Sequence, residues 1–252
     1  MKILSWNVNG LRAVIKKGFF DSLQKEKPDI ICLQEIKTQP ENLSNESIHW
    51  SGYFSFFNSA LKKGYSGVAV YTKQKPLMIK NKLGLRRFDE EGRFLELHYP
   101  NFILMNFYLH HGGRQKENLD YKIEVYKKLF QYLKKMKNKK LILIGDFNVA
   151  YQEIDLARPK QNKNNIMFTP KEREQIDKIL NLGFVDSFRK FRKDGGHYTW
   201  WPYFANARQR NLGWRIDYTF VSKNLIKRVK KSFILSQVYG SDHCPVGIEV
   251  IT

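Results

Sequence analysis

Residues 140–148 read Lys140-Leu141-Ile142-Leu143-Ile144-Gly145-Asp146-Phe147-Asn148, and the rest of the chain can be ordered around them. The run up to Ile144 is apolar on both faces of an extended backbone, which marks a central strand with packed layers on either side. It then delivers a carboxylate, Asp146, and an amide, Asn148, at its end. A polar strand end is expected of any sheet protein, because buried strands tolerate polar residues poorly inside them. What needs a further explanation is that the pattern recurs.

Residues 2–8 read as a buried strand ending at Asn7-Val8-Asn9-Gly10, where Asn and Gly favour a turn. Residues 29–34 form a second apolar strand that delivers Glu35. Residues 53–58 and 67–72 are strand-like, joined by the basic, glycine-flexed loop Leu61-Lys62-Lys63-Gly64-Tyr65-Ser66-Gly67. Residues 93–99 and 101–109 make a hairpin across Pro100-Asn101, and the second strand ends near Tyr108. Residues 215–221 contain Asp217. Two last strands, over 228–235 and 244–251, flank Gly240-Ser241-Asp242-His243.

Three helices stand out. Leu11, Val14, Ile15, Phe19 and Leu23 predict one helix, stopped by Pro28. Residues 117–137 predict a long helix whose apolar stripe is Leu119, Ile123, Tyr126, Phe130 and Leu133, with lysines largely elsewhere. Thr169-Pro170-Lys171-Glu172 opens a third. Thr169 is the N-cap, Pro170 takes the first helical position and Glu172 closes a capping box. Strands outnumber helices and several run consecutively, which implies a mixed sheet, or two sheets, covered by helices.

The 252 residues contain no linker, low-complexity segment or fixed repeat, so one domain is the simpler expectation. The net charge of +20, from 44 basic and 24 acidic residues, would draw in a polyanion. Part of it follows from a lysine-rich composition, and charge alone leaves an anionic membrane surface open. Cys32 lies in an apolar run, and no Cys/His spacing suggests structural zinc. A reducing, cytoplasmic location is expected, nucleoid-associated in a prokaryote. The N-terminus reads as a strand rather than a signal peptide, and no apolar run approaches the roughly 20 residues needed to span a bilayer.

Asn7, Glu35, Tyr108, Asp146, Asn148, Asp217 and Asp242-His243 all fall at or near strand ends, and together they contain the parts of a phosphodiesterase. A hard cation needs carboxylate or amide oxygens, and Glu35 with Asn7 and Asp242 would suit Mg²⁺. His243 or Asp146 could orient or deprotonate water. Asn148, Tyr108 and His243 are donors for the charge of the transition state. Asp217 could fix the His243 tautomer.

Six stretches then carry a resemblance. They are residues 5–13 (Ser5-Trp6-Asn7-Val8-Asn9-Gly10-Leu11-Arg12-Ala13), Leu33-Gln34-Glu35, Gly64-Tyr65-Ser66-Gly67, Gly145-Asp146-Phe147-Asn148-Val149-Ala150, Asn211-Leu212-Gly213-Trp214-Arg215-Ile216-Asp217-Tyr218 and Gly240-Ser241-Asp242-His243-Cys244-Pro245. In this order they resemble the motifs of the exonuclease III family of apurinic/apyrimidinic (AP) endonucleases, and they extend from residue 5 to residue 245.

The resemblance implies a four-layered α/β sandwich of the DNase I type, two packed mixed sheets with helices outside. It implies Mg²⁺-dependent hydrolysis (Mn²⁺ able to substitute) of the phosphodiester 5′ to an abasic site in duplex DNA, leaving a 3′-hydroxyl and a 5′-deoxyribose phosphate. Removal of 3′ blocking groups and 3′→5′ exonuclease activity commonly accompany it. By motif position Glu35 is the main metal ligand, with Asn7 and Asp242 near it. Asp146 and Asn148 orient the attacking water and the phosphate, Tyr108 and His243 contact the phosphate, and Asp217 orients His243. Trp200, Trp214 and Ile216 wall a pocket for the bare sugar, which costs less to flip out than an intact nucleotide. Phe204 matches a wedge into the DNA and Arg114 an arginine inserted from the opposite groove. Arg12, Lys17, Tyr65, Arg93, Asn162 and Asn165 match backbone-contacting positions. Trp201 matches no role. A monomer with no membrane partner is expected.

Two positions depart from the family pattern. After Tyr108 the family reads an apolar residue, then Pro and Asn, whereas this chain has Leu109-His110-His111. His111 could replace the Asn as a phosphate donor, more strongly when protonated, which predicts a steeper loss of activity above neutral pH. Asn9 stands where some relatives have Asp, which lowers the local negative charge. A phosphoesterase acting on inositol phosphates or sphingomyelin fits the +20 charge and the Trp/Arg-rich segment 198–215 less well. A catalytically silent nucleic-acid-binding module has no need of the full set of polar strand ends.

Overall fold

The computed structural model describes residues 1–251. Four strands come first, β1 (Lys2–Asn7), β2 (Ile30–Gln34), β3 (Phe54–Asn58) and β4 (Val68–Thr72). They are followed by β5 (Met78–Lys80), β6 (Phe94–His98), β7 (Ile103–Tyr108) and β8 (Leu141–Asp146). The last are β9 (Phe184–Asp186), β10 (Asp217–Ser222), β11 (Val229–Ile234) and β12 (Val246–Val250). The helices are α1 (Leu11–Ile15), α2 (Phe19–Glu26), α3 (Asn45–Ile48), α4 (Arg86–Glu90), α5 (Leu119–Lys134), α6 (Pro170–Asn181) and α7 (Ser187–Phe191).

The strands form two six-stranded mixed sheets, ordered β11-β12-β1-β2-β4-β3 and β5-β6-β7-β8-β10-β9. The layer between them is apolar, built from Ile3, Ile30, Cys32, Val68, Val70, Leu95, Leu97, Leu104, Ile142, Ile144, Val221 and Ile248. The outer face of the first sheet packs Leu4, Trp6, Ile31, Leu33 and Tyr71 against Leu11, Val14, Phe19 and Leu23 of α1 and α2. The outer face of the second carries α5 and α6. This is the four-layered sandwich expected from the resemblance, and β8 is an interior strand as its two-sided apolarity predicts.

Strand alternation decides where the polar ends point. Ile3, Ile142, Ile144, Leu104 and Val221 face the inter-sheet layer, so Asn7, Asp146, Tyr108 and Asp217, an even number of positions along the same strands, face it too. Register brings them level: Tyr108 and Asp217 both pair with Asp146.

Three expectations need correction. The helix predicted from Leu11 to Leu23 is two helices, broken at Lys16-Lys17-Gly18, where Gly18 takes a left-handed conformation (φ 83°) at the N-cap of α2. Its apolar spacing survives the break because both pieces pack on one sheet face. The stripe of α5 is rotated. Lys122, Val125, Tyr126, Leu129 and Leu133 are buried, while Leu119, Ile123 and Phe130 are only half-buried. The buried lysine is paired, which hid that face from a purely apolar reading. The short elements β5, β9, α3, α4 and α7 were not read, being too short for periodicity to register. The capping box of Thr169 and Glu172 at α6 forms as predicted.

Candidate active site

The polar strand ends meet at one edge of the inter-sheet layer. Alternation from Gln34 would turn Glu35 outward, but Glu35 adopts φ 55°, a left-handed conformation uncommon for a residue with a long side chain. The flanking turns hold it there: Gly10 N–H donates to the Glu35 carbonyl (2.8 Å) and Ile36 N–H to that of Gly67 (3.2 Å). The carboxylate is thereby brought to Asn7. Asn9 and Asn148 are left-handed as well, with φ of 46° and 52°. Strain of this kind persists where the surroundings over-determine the backbone.

Asn7 is the bridge. Its amide donates to Glu35 Oε2 (3.1 Å) and to Asp146 Oδ2 (2.9 Å), and its oxygen accepts from the Asn9 N–H. Asp146 also accepts from the Asn148 amide (3.0 Å) and backbone N–H (2.8 Å). Asn148 reaches the neighbouring loop through the Leu109 carbonyl (2.9 Å). His243 Nδ1 lies 2.8 Å from Asp217 Oδ2, leaving Nε2 4.0 Å from Asp146 Oδ2. Asp146, Asp217 and His243 bring one ligand atom each within 4.8 Å of one another. Trp6 Nε1 holds the His243 carbonyl (3.1 Å), and Ser241 Oγ holds the Asn7 carbonyl (2.8 Å), so the last loop is tied to β1.

Electrostatics follow from burial and close charges. Burial, then Asp217, raises the Asp146 pKa, and His243, Asn7 and Asn148 only partly offset this. Burial opposes charge on His243, but Asp217, with Asp146 and Asp242, outweighs it and raises its pKa. Burial, then Glu35 and Asp146, keeps Tyr108 well above its ordinary range despite Arg93, so it is a neutral donor. Burial works against charge on Asp242, but His243, Asn9, Trp200 and Ser241 lower its pKa and hold it ionised.

The donor set suits a hard cation: carboxylates at Glu35, Asp146 and Asp242 and amide oxygens at Asn7 and Asn148, with no thiolate among them. Glu35 and Asp242 are half-buried and Asp146 is buried. Asp242 lies across the site, accepting from Asn9 Nδ2 (3.0 Å) and Trp200 Nε1 (3.0 Å), while Ser241 Oγ, 3.1 Å away, shares its one hydrogen between Asp242 and the Asn7 carbonyl. Trp200 and Trp214 meet edge to face and pack with Ile216 on Leu156, Met167 and Phe168. Trp201 is buried with Tyr198 and Cys244 and is core packing.

Of the residues matched to DNA-contacting positions, Arg12, Lys17, Arg114 and Asn165 are exposed, and Tyr65 and Asn162 lie at the surface. Phe204 is 72% exposed on its loop. Arg12 lines a groove of about 680 Å³ with Gly10, Lys16, Lys37 and Gly64. Asn165 donates to Asn162, whose own amide ties off the Ala157 and Arg158 carbonyls. Arg93 is a correction. It is 4% exposed, bonded to Glu91, the Tyr108 carbonyl and the Tyr65 hydroxyl (3.1 Å), and stacked on the Tyr108 ring. A guanidinium so enclosed supports Tyr65 and Tyr108 rather than lying open at the surface as the matched position implied.

His110 is buried against Phe88 and Tyr121 and bonds Glu91 (2.8 Å). Burial, then Lys122, lowers the His111 pKa and so disfavours the proton expected to strengthen it as a donor. Lys37 escaped the sequence reading. It pairs with Glu35 (2.8 Å) and donates to Asn9, and its one signal was its place two residues beyond Glu35. Lys122 escaped it too, and its Nζ donates to the carbonyls of Asn148 (2.7 Å) and His111 (3.1 Å) and pairs with buried Glu172.

Comparison with known proteins places this geometry. Residues 4–243 match the endonuclease/exonuclease/phosphatase family. An exodeoxyribonuclease of Bacillus subtilis is 46% identical over 249 residues, 98% of each chain. A DNA-(apurinic or apyrimidinic site) endonuclease of Dictyostelium discoideum is 44% identical over 255 residues, 99% of this chain and 70% of its own. Among solved structures, a Neisseria 3′ phosphatase bound to a product DNA hairpin superposes with a TM-score of 0.92 at 28% identity, and an AP endonuclease of Archaeoglobus fulgidus with 0.91 at 29%, each over 100% of both chains.

Proposed function

Because the chain belongs to the endonuclease/exonuclease/phosphatase family, and within it to the exonuclease III type of AP endonucleases, we propose that it is a DNA-repair hydrolase that cuts the phosphodiester 5′ to an abasic site. Removal of 3′ blocking groups and 3′→5′ exonuclease activity belong to the same reading. The observation that carries it is the Asn7 amide held between Glu35 and Asp146, which joins the metal side of the site to the water-activating side.

Glu35, with Asn7 and Asp242 near it, would hold Mg²⁺, which when bound neutralises the non-bridging phosphate oxygens. The remaining work falls to side chains. Asp146, fixed by Asn7 and Asn148, orients water on the side of the phosphorus opposite the leaving 3′-oxygen. His243, oriented by Asp217, and neutral Tyr108 donate to the phosphate as charge builds on it. The water oxygen bonds to phosphorus and gives up one proton as the P–O3′ bond breaks, the 3′-oxygen gains a proton to become the 3′-hydroxyl, and the phosphate stays on the abasic sugar. Trp200, Trp214 and Ile216 wall the space that accepts that sugar and excludes a base by size. Phe204 wedges the duplex, Arg114 approaches from the other groove, and Arg12, Lys17, Tyr65, Asn162 and Asn165 meet backbone phosphates. Arg93 acts through Tyr65. The +20 charge steers the polyanion to this face.

The test is a duplex with one abasic analogue, incubated with Mg²⁺ or with EDTA. Nicking only with metal, only 5′ to the lesion, and its loss in Glu35→Gln is the expected result. Cleavage that survives EDTA and Glu35→Gln would defeat the reading.

A further inference from the structure

Trp200 occupies two places at once. One edge of its indole meets Trp214 in the proposed sugar pocket, with ring centroids 6.5 Å apart at 78°. The other end carries Nε1, which donates to Asp242 Oδ2 at 3.0 Å. Its backbone is pinned on both sides, by a bridge to Trp214 and a bridge to His243, and the next residue, Trp201, donates its N–H to the Asp242 carbonyl (3.0 Å). The ring therefore cannot shift in the pocket without moving the donor on Asp242.

The other donors near Asp242 are Asn9, Ser241 and the Tyr203 hydroxyl, and Tyr203 is 73% exposed. Oδ1 is already shared between Asn9 Nδ2 and Ser241 Oγ, and Trp200 supplies the hydrogen bond to Oδ2. A carboxylate held at both oxygens presents its remaining lone pairs in one direction. Hydrogen bonds from outside the ligand set are what aim such a group at a cation, and their loss typically costs about 10–100-fold in metal affinity.

We infer that Trp200 is a positioning residue that couples the lesion pocket to the metal side of the site, its ring forming the wall and its indole N–H setting the direction of the Asp242 carboxylate. The inference rests on the reading of Asp242 as a group near the bound metal. An amide or hydroxyl in place of the indole could hold Asp242 without walling the pocket, and a phenyl ring could wall the pocket without holding Asp242. The indole does both.

The experiment measures Mn²⁺ affinity by titration calorimetry on the full chain without DNA, so that no turnover enters the readout. Trp200→Phe keeps an aromatic wall and removes the donor. Replacing Trp200 with the sulfur isostere 3-benzothienylalanine keeps the shape of the indole as well, which guards against a folding defect. Both are expected to weaken Mn²⁺ about 10-fold, whereas Trp214→Phe leaves Mn²⁺ affinity unchanged and raises KM for the abasic duplex. Unchanged Mn²⁺ affinity in both Trp200 variants would overturn the coupling while leaving the metal reading intact. Wild-type protein that binds no Mn²⁺, or binds it equally well after Glu35→Gln, would overturn the metal reading and the coupling with it.

Discussion

His243 Nδ1 and Asp217 Oδ2 are 2.8 Å apart, both side chains are buried, and the contact directs the opposite ring nitrogen toward Asp146. One carboxylate thus sets the tautomer, the orientation and the charge of the imidazole. Asp217→Asn keeps the shape and removes the charge. The expected loss in kcat is about 10²–10⁴-fold with little change in KM. Asp217 raises the His243 pKa, so its removal lowers that pKa and moves the alkaline limb of the pH–rate profile to lower pH. A profile that scales down without moving would show that Asp217 acts by position alone.

His111 loses proton affinity through burial and the nearby Lys122. Its charged form is therefore disfavoured relative to a free histidine. The ratio of rates for wild type and His111→Asn should stay flat above about pH 7.5, a full unit over the ordinary histidine value of about 6.5. A ratio that falls through this range would restore the charged role first expected of it.

His110 couples stability to acid. Burial, aided by Arg93 and Arg87 and only partly offset by Glu91, lowers its pKa to about 4. The unfolded chain takes up this proton near pH 6.5 and the folded chain only near 4, so stability falls as the pH drops through that window. The contribution is at most on the order of 3 kcal/mol. Melting temperatures at pH 7 and pH 5 should converge more closely in His110→Asn than in wild type, and equal slopes would remove His110 as the cause.

Arg93 and Arg12 separate support from contact. Arg12 is exposed in the groove, so Arg12→Ala should reduce the salt slope of DNA binding by about 1. Arg93 is enclosed by Glu91, Tyr65 and Tyr108. Arg93→Leu should weaken binding through a loosened Tyr65 and leave the salt slope unchanged. A reduced slope in Arg93→Leu would return it to the phosphate-contacting set.

Lys122 and Glu172 are each fully buried and paired. Lys122→Met leaves the Glu172 carboxylate without its cation, though Met167 and Thr169 still donate to it, and frees the Asn148 and His111 carbonyls, at an expected cost of about 3–5 kcal/mol in denaturant unfolding. Adding Glu172→Gln removes the uncompensated charge, keeps an acceptor for the Thr169 capping box and should recover part of that loss. A double variant no more stable than the single one would place the cost in the carbonyl contacts instead.

The sequence by itself determined a mixed-sheet protein covered by helices and the polar strand ends from which the candidate site is built. Two-sided apolarity marked β8 as central, and local turn and capping chemistry placed Asn7-Val8-Asn9-Gly10 and Thr169-Pro170-Lys171-Glu172, because these signals act over a few residues. It also placed polar groups at strand ends, where alternation alone aims Asn7, Tyr108, Asp146 and Asp217 into one layer. Tertiary structure decided which of these groups touch. Glu35 faces Asn7 only because packed turns hold it at φ 55°, and Asp242 accepts a hydrogen bond from Trp200, 42 positions away. It also decided that Arg93 and Lys122 are buried, since a charge can leave water once partners from distant segments replace its hydration, and those partners have no spacing in the chain that would reveal them.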